Sequence, residues 1–180
     1  DTRKGESDVA HRAVKGAPMA LAKCAEAVSC DQEIGGALHV LKTLHWEEQV
    51  EGARVVREPI GVVGLITPWN WPMNQVAHKV GLALACGCTM VLKPSEIAPI
   101  DAMILAEIID SAGLPVGVFN LVNGDGPTVG EAMSSHPDIE MMSFTGSTRP
   151  GTAVATATAY TIKRFAHEPG GKSPHHTPPR

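Results

Sequence analysis

The chain has 180 residues, 43% hydrophobic and 19% charged, with mean hydropathy +0.01, the make-up of one folded domain with a sizeable core plus an N-terminal appendage. A net charge of −4 and a pI near 6.1, with charges scattered along the chain, exclude the basic field that nucleic acid requires. No apolar run reaches the roughly 18 residues of a membrane span, and the polar start DTRKGESD is no signal peptide, so a cytoplasmic setting without a membrane partner is expected.

In chain order, two helical patterns come first, one around Ser7 to Val28 and one around Asp31 to Val50. In the second, Ile34, Leu38, Leu41, Leu44 and Trp46 recur at roughly helical spacing. Beyond Gly52 the pattern changes to short β-branched runs alternating with amphipathic segments. The predicted order is strand Gly61–Ile66, helix Asn74–Ala85, strand Thr89–Leu92, helix Asp101–Ser111, strand Val118–Val122, helix Thr128–Ser134, strand Glu140–Phe144, helix Thr148–Ala159 and strand Thr161–Ala166. Pro72, Pro99, Pro127 and Ser147 stand where helices start, and Gly87 and Gly113 where they stop. Repeated βα units with continuous apolar strands predict an α/β fold, a Rossmann-like parallel sheet with helices on both faces, preceded by N-terminal helices. The implied division is a helical segment 1–52, a cofactor-binding domain 53–174 and an atypical, disordered tail 175–180, in which the adjacent His175 and His176 make no metal site.

The four cysteines, Cys24, Cys30, Cys86 and Cys88, are too few for a disulfide scaffold and are expected to be buried thiols. Cys86-Gly87-Cys88 has one intervening residue and no second ligand pair at metal spacing, so no metal site is expected.

In such sheets ligands bind beyond the carboxyl ends of the strands, and the conspicuous motifs fall there. Asn70 follows the first strand, Lys93 the second, Gly124 the third, Gly146 the fourth and Glu168 the fifth. Ser143-Phe144-Thr145-Gly146-Ser147-Thr148 joins a strand to a helix; Gly146 would let a phosphate approach the backbone, and Ser147 can cap the helix whose free N–H groups attract it. Taken alone, this is also a plain capped turn. Lys93-Pro94-Ser95-Glu96 alone reads equally as a solvated turn, and Asn70, in Thr67-Pro68-Trp69-Asn70-Trp71-Pro72, could satisfy its own turn.

Together, TPWNWP, VLKPSE, SFTGST and HEPGGKSP resemble the NAD(P)-dependent aldehyde dehydrogenase superfamily in order and spacing. The resemblance implies an incomplete aldehyde dehydrogenase-like fold and NAD as cofactor. Asn70 would donate to the aldehyde oxygen and Glu168 would act as general base. Ile66, Thr67, Pro68 and Trp69 would line the cofactor, as would Gly126 and Gly130. Lys93, Ser95 and Glu96 would contact the ribose, and Phe144, Thr145, Gly146 and Ser147 would seat the pyrophosphate. A carboxylate at Glu96 favours NAD over NADP, because it repels a 2′-phosphate. The family pattern has Leu where this chain has Pro169, which removes an N–H and restricts Glu168 to extended backbone. The family's nucleophilic Cys belongs to a downstream segment, so the chain reads as the cofactor part of an enzyme without its thiol part. The implied substrate of the whole enzyme is a small-molecule aldehyde, and family members are usually homo-oligomers. The alternative is a non-catalytic nucleotide-binding or subunit-interacting fragment.

Overall fold

The computed structural model describes residues 5, 6, 9 and 27–170. Helix α1 (Ala27–Thr43) leads into an antiparallel hairpin, β1 (Glu47–Val50) and β2 (Ala53–Val56), and then into the α/β body. The body runs β3 (Val62–Ile66), α2 (Pro72–Ala85), β4 (Thr89–Lys93), α3 (Ile100–Ser111), β5 (Phe119–Leu121), a π-helical turn (Gly126–Gly130) continuing into α4 (Glu131–Ser135), β6 (Met141–Gly146), α5 (Thr148–Ala159) and β7 (Arg164–Pro169).

The five body strands form one parallel sheet in the order β5-β4-β3-β6-β7. Successive units run outward from β3 to β5, and the chain then returns to the other side of β3 to add β6 and β7. The strand order therefore reverses between β3 and β6, which in open α/β sheets is where a crevice opens for a ligand. This is the expected fold.

Strand alternation divides the core in two. Val63, Leu65, Met90 and Leu92 pack against Val76, Val80 and Ala83 of α2 and Ala102 and Leu105 of α3. On the other face Ile66, Met142 and Phe144 pack against Met133 of α4 and Val154 of α5. Leu65, Met90, Leu92 and Met142 are at most 1% exposed, so each contributes about 1.5–3 kcal/mol by burial. Gly64 serves the second face, because a Cβ there would collide with the Met142 sulfur. A methyl at this position would force the buried Met142 side chain to repack.

Helix starts and stops follow the local chemistry. Pro72 occupies the first turn of α2, where its missing N–H has no intrahelical partner to lose. Gly87 and Gly113 take φ of +72° and +75° just past α2 and α3, the left-handed conformation that terminates a helix at least cost in glycine.

The structure corrects four sequence readings. The second helix does not run to Val50: it ends at Thr43, and Glu47–Val50 pairs with Ala53–Val56 around a turn in which Glu51 and Gly52 both have positive φ. The last strand starts at Arg164, because a turn at Tyr160–Thr161 and a positive φ at Ile162 delay it, and it extends to Pro169. Glu168 thus lies within the strand instead of after it. Nor are all the thiols buried. Cys88 is in the core and Cys30 is half-buried, but Cys86 is exposed, because it caps the end of α2 where the chain leaves the helix. Cys24, most of the Ser7–Val28 helix and the tail 175–180 lie outside the described residues.

Candidate functional site

The parallel register aligns the predicted residues. Lys93, Ile66, Phe144 and His167 are direct neighbours across four strands, and one step further along the chain Thr145 sits opposite Glu168. Thr67 extends this lip by donating its N–H to the Lys93 carbonyl at 3.2 Å. Ile66, Thr67, Lys93, Phe144, Thr145, Gly146 and Glu168 therefore share one edge of the sheet.

Thr67 is 3% exposed, and its Oγ1 has no hydrogen-bond partner among the described residues. A buried hydroxyl without a partner is costly, so this atom fits a contact with a bound molecule. Pro68 is half-buried, and Trp69, Asn70 and Trp71 are exposed on the loop that follows. Trp71 adopts a left-handed conformation (φ 54°, ψ 47°) at the N-cap of α2. For a bulky side chain that conformation costs on the order of 1–2 kcal/mol, and Pro72 beside it disfavours the ordinary helical alternative. The turn from the Asn70 loop into α2 is thus set by its own sequence.

At the end of β4, Lys93 is 2% exposed; its Nζ donates to the Pro94 carbonyl at 2.9 Å and to Glu96 Oε2 at 3.3 Å. Ser95 is buried, and its Oγ accepts from the Ile97 N–H at 3.3 Å, closing the turn. Gly130 packs beneath this group: a Cβ there would lie 3.7 Å from Ile66 Cδ1 and 4.0 Å from Lys93 Cδ, while Gly126 faces open space. Asp125, which the sequence reading passed over, caps the turn by accepting from the Thr128 N–H at 2.7 Å. Hydrogen bonds from Thr128 hold its carboxyl below the usual carboxylate range, with Lys93 adding to the effect. An Asp three residues before a Thr, with Pro between, was the available signal.

Gly146 has no room for a side chain, because a Cβ would sit 2.7 Å from the Phe144 ring. Ser147 occupies the N-cap of α5 in extended conformation, but its side chain makes no capping hydrogen bond. The expected Ser cap is thus absent, and the first N–H groups of α5 lack a side-chain acceptor from it. A phosphate would supply one.

Glu168 lies on the edge strand β7, in the extended backbone that a residue before proline favours. Pro169 leaves the β6–β7 register intact, and the Gly170 N–H donates to the Gly146 carbonyl at 2.7 Å just beyond it. Glu168 Oε2 accepts from Thr145 Oγ1 at 2.9 Å, and Glu168 Oε1 stands 3.9 Å from the ammonium of Lys79. Lys79, on α2, is 4% exposed and donates to Ser143 Oγ at 2.8 Å. Burial pushes its ammonium below the usual lysine range, and the Glu168 carboxylate opposes that shift. Lys79 was missed in the sequence, and Ser143 was read only as part of the strand-to-helix motif. The signal was a lysine among the inward positions Val76, Ala77, Val80 and Ala83 of α2.

Chemically, this edge offers a carboxylate beside an ammonium, a second buried ammonium at Lys93, an unpartnered hydroxyl and an open helix start. Of the described thiols, Cys86 and Cys88 precede β4, at the opposite edge of the sheet, and Cys30 lies on α1. Among the described residues, no group of three or more His, Cys, Asp or Glu side chains converges on a metal position, and no helix is long and apolar enough to cross a membrane.

The sequence profile of the aldehyde dehydrogenase family matches residues 9–177. A 3-succinoylsemialdehyde-pyridine dehydrogenase from a Pseudomonas species is 63% identical over 137 residues, which are 76% of this chain and 29% of that protein. A putative aldehyde dehydrogenase of Staphylococcus haemolyticus is 46% identical over 160 residues, 89% of this chain and 34% of its own length. Among solved structures, a cysteine-to-alanine variant of aldehyde dehydrogenase C from Pseudomonas syringae, in complex with NAD+ and octanal, superposes with a TM-score of 0.93 at 48% identity, covering 96% of this chain and 36% of that one. An aldehyde dehydrogenase from Bartonella henselae gives a TM-score of 0.92 at 49% identity, covering 95% and 37%. The chain spans about a third of the length of these relatives. With its fold, its motifs and its profile in agreement, the chain belongs to the aldehyde dehydrogenase family.

Proposed function

We propose that this chain is the NAD-binding part of an NAD-dependent aldehyde dehydrogenase, in which an aldehyde is oxidised to a carboxylic acid. The observation that carries the reading is the arrangement at the carboxyl edge of the sheet, where Glu168 stands beside Lys79 while, among the described residues, Thr67 Oγ1 has no hydrogen-bond partner and α5 begins without a side-chain cap. In this reading residues 53–174 are the cofactor domain and residues 1–52 its N-terminal appendage. The whole enzyme works in the cytoplasm, as a homo-oligomer.

The residues present fit NAD. The N–H groups at the start of α5 and the bare backbone of Gly146 would hold the pyrophosphate. Lys93, Ser95 and Glu96 would take the adenosine ribose, and Ile66, Thr67, Pro68, Trp69, Gly126, Gly130, Phe144, Thr145 and Ser147 complete the seat. NAD, when bound, supplies the hydride acceptor. Asn70 donates its amide N–H to the oxygen that becomes negative during reaction, a contact worth about 3 kcal/mol when the donor is fixed. Glu168 accepts a proton from water, which then attacks the acyl group, and Thr145 and Lys79 orient and balance the carboxylate. The attacking thiolate comes from a part of the enzyme outside this segment.

A second reading, a nucleotide-binding fragment without catalysis, is favoured by the position of Cys86 and Cys88 at the opposite edge of the sheet. Incubating the purified chain with NAD and short aldehydes and following NADH absorbance tests the assignment. The chain alone should give no turnover. Turnover that survives Glu168→Gln and disappears when Cys86 and Cys88 are replaced would move the chemistry to those thiols and end this reading.

A further inference from the structure

Side chains of β6 alternate between the two faces of the sheet. Met142 and Phe144 enter the core with α4 and α5, so Ser143 and Thr145 face α2. The two hydroxyls each take one member of a charge pair: Ser143 Oγ accepts from Lys79 Nζ at 2.8 Å, and Thr145 Oγ1 donates to Glu168 Oε2 at 2.9 Å. The pair itself is wider, at 3.9 Å between Lys79 Nζ and Glu168 Oε1. That exceeds the roughly 2.7–2.9 Å of a direct charge-assisted bond.

The Lys79 side chain is 2% exposed, and the bond to Ser143 is the one hydrogen bond its ammonium makes among the described residues. A buried ammonium needs an acceptor, and the flexible lysine stem would otherwise let it wander. We propose that Ser143 is a positioning residue of this site: its hydroxyl anchors the Lys79 ammonium to β6 and so holds a positive charge beside the Glu168 carboxylate. The inference rests on the reading of Glu168 as the general base. It adds a residue that never touches substrate or cofactor and acts only through Lys79.

The anchor can be tested on the chain itself by labelling lysine with 13C at Cε and following the Lys79 resonance, assigned by its loss in Lys79→Met, as pH rises. Glu168 is the charged group facing Lys79 among the described residues. In Ser143→Ala the ammonium loses its short acceptor, and its titration midpoint should fall by about one unit, since a hydrogen bond to a charged group contributes about that much. Ser143→Thr keeps a hydroxyl and should restore the midpoint, which separates the anchor from a general loss of packing. An unchanged midpoint in Ser143→Ala, a rise showing that Lys79 pairs with Glu168 unaided, or an equal fall in Ser143→Thr would each overturn the proposal. The measurement involves no turnover. Undiminished acyl-enzyme hydrolysis by a Glu168→Gln enzyme would remove the base assignment and leave the anchor standing, whereas a Lys79 midpoint indifferent to Ser143 would do the reverse.

Discussion

The two edges of the sheet treat polar groups in opposite ways. At the amino edge they close on one another: the Val62 N–H donates to Glu140 Oε2 at 2.6 Å, Asn120 Nδ2 donates to the carbonyls of Gly117 and Met90, and Lys163 Nζ donates to the His136 carbonyl at 2.6 Å. At the carboxyl edge, among the described residues, Thr67 Oγ1 is left without a partner and the start of α5 without a side-chain cap, and Lys79 holds a charge in the interior. One edge satisfies its polar groups internally and stabilises the fold. The other leaves polar groups unsatisfied and a charge buried, at a cost in stability that a ligand would offset under the proposed function.

Carboxylates of the two edges give the sharpest contrast. In the longer enzyme, Glu168→Gln should slow acyl-enzyme hydrolysis by about 10²–10⁴-fold with little change in folding, as single-turnover kinetics would show. Asn70→Ala comes next, with a loss of about 10²–10³-fold in kcat for removal of a fixed donor. Glu140→Ala should act on the opposite property. It strips the acceptor from the Val62 N–H and should lower unfolding stability by about 1–3 kcal/mol in a denaturant titration, with the NAD affinity of the folded protein unaltered. Equal effects of Glu140→Ala and Glu168→Gln on both properties would erase the distinction between the edges.

Smaller effects refine it. Glu96→Gln should narrow the preference for NAD over NADP by about tenfold in calorimetric titrations, because one repulsive charge near the 2′-phosphate is removed. Lys79→Met removes the cost of a buried ammonium but also the bond to Ser143, so the two should offset to within about 1 kcal/mol of unfolding stability at neutral pH. The pH dependence carries the sign. The folded-state pKa of Lys79 lies below its ordinary value, so between the two the unfolded chain binds more protons, and stability rises with pH across that window. Thermal melts should show this rise in the unaltered chain and its loss in Lys79→Met.

How far the sequence foretold this arrangement depends on the range of the interactions. The βα units were legible because strands such as Val62–Ile66 are continuous apolar runs and because Pro72, Gly87 and Gly113 punctuate them. The motif positions followed from that order, since the carboxyl ends of parallel strands share one edge. The hairpin was not legible. Glu47–Val50 is short and polar, helical spacing of Leu41, Leu44 and Trp46 runs up to it, and nothing in the composition announces a positive φ at Glu51. Contacts between distant segments were also hidden. Lys79 and Ser143 are 64 positions apart, and the bond from His78 to Glu33, which pins α1 to α2, spans 45. Periodicity shows which way a side chain faces and says nothing of the partner it meets.

The central claim, that the carboxyl edge is the cofactor seat, is tested most directly by titrating NAD into the isotope-labelled chain and mapping backbone amide shifts. The account predicts saturable changes at Thr67, Gly130, Gly146 and Ser147, with the amides of Val62, Asn120 and Arg164 unmoved. Shifts confined to the amino edge, or spread evenly over both edges, would contradict it.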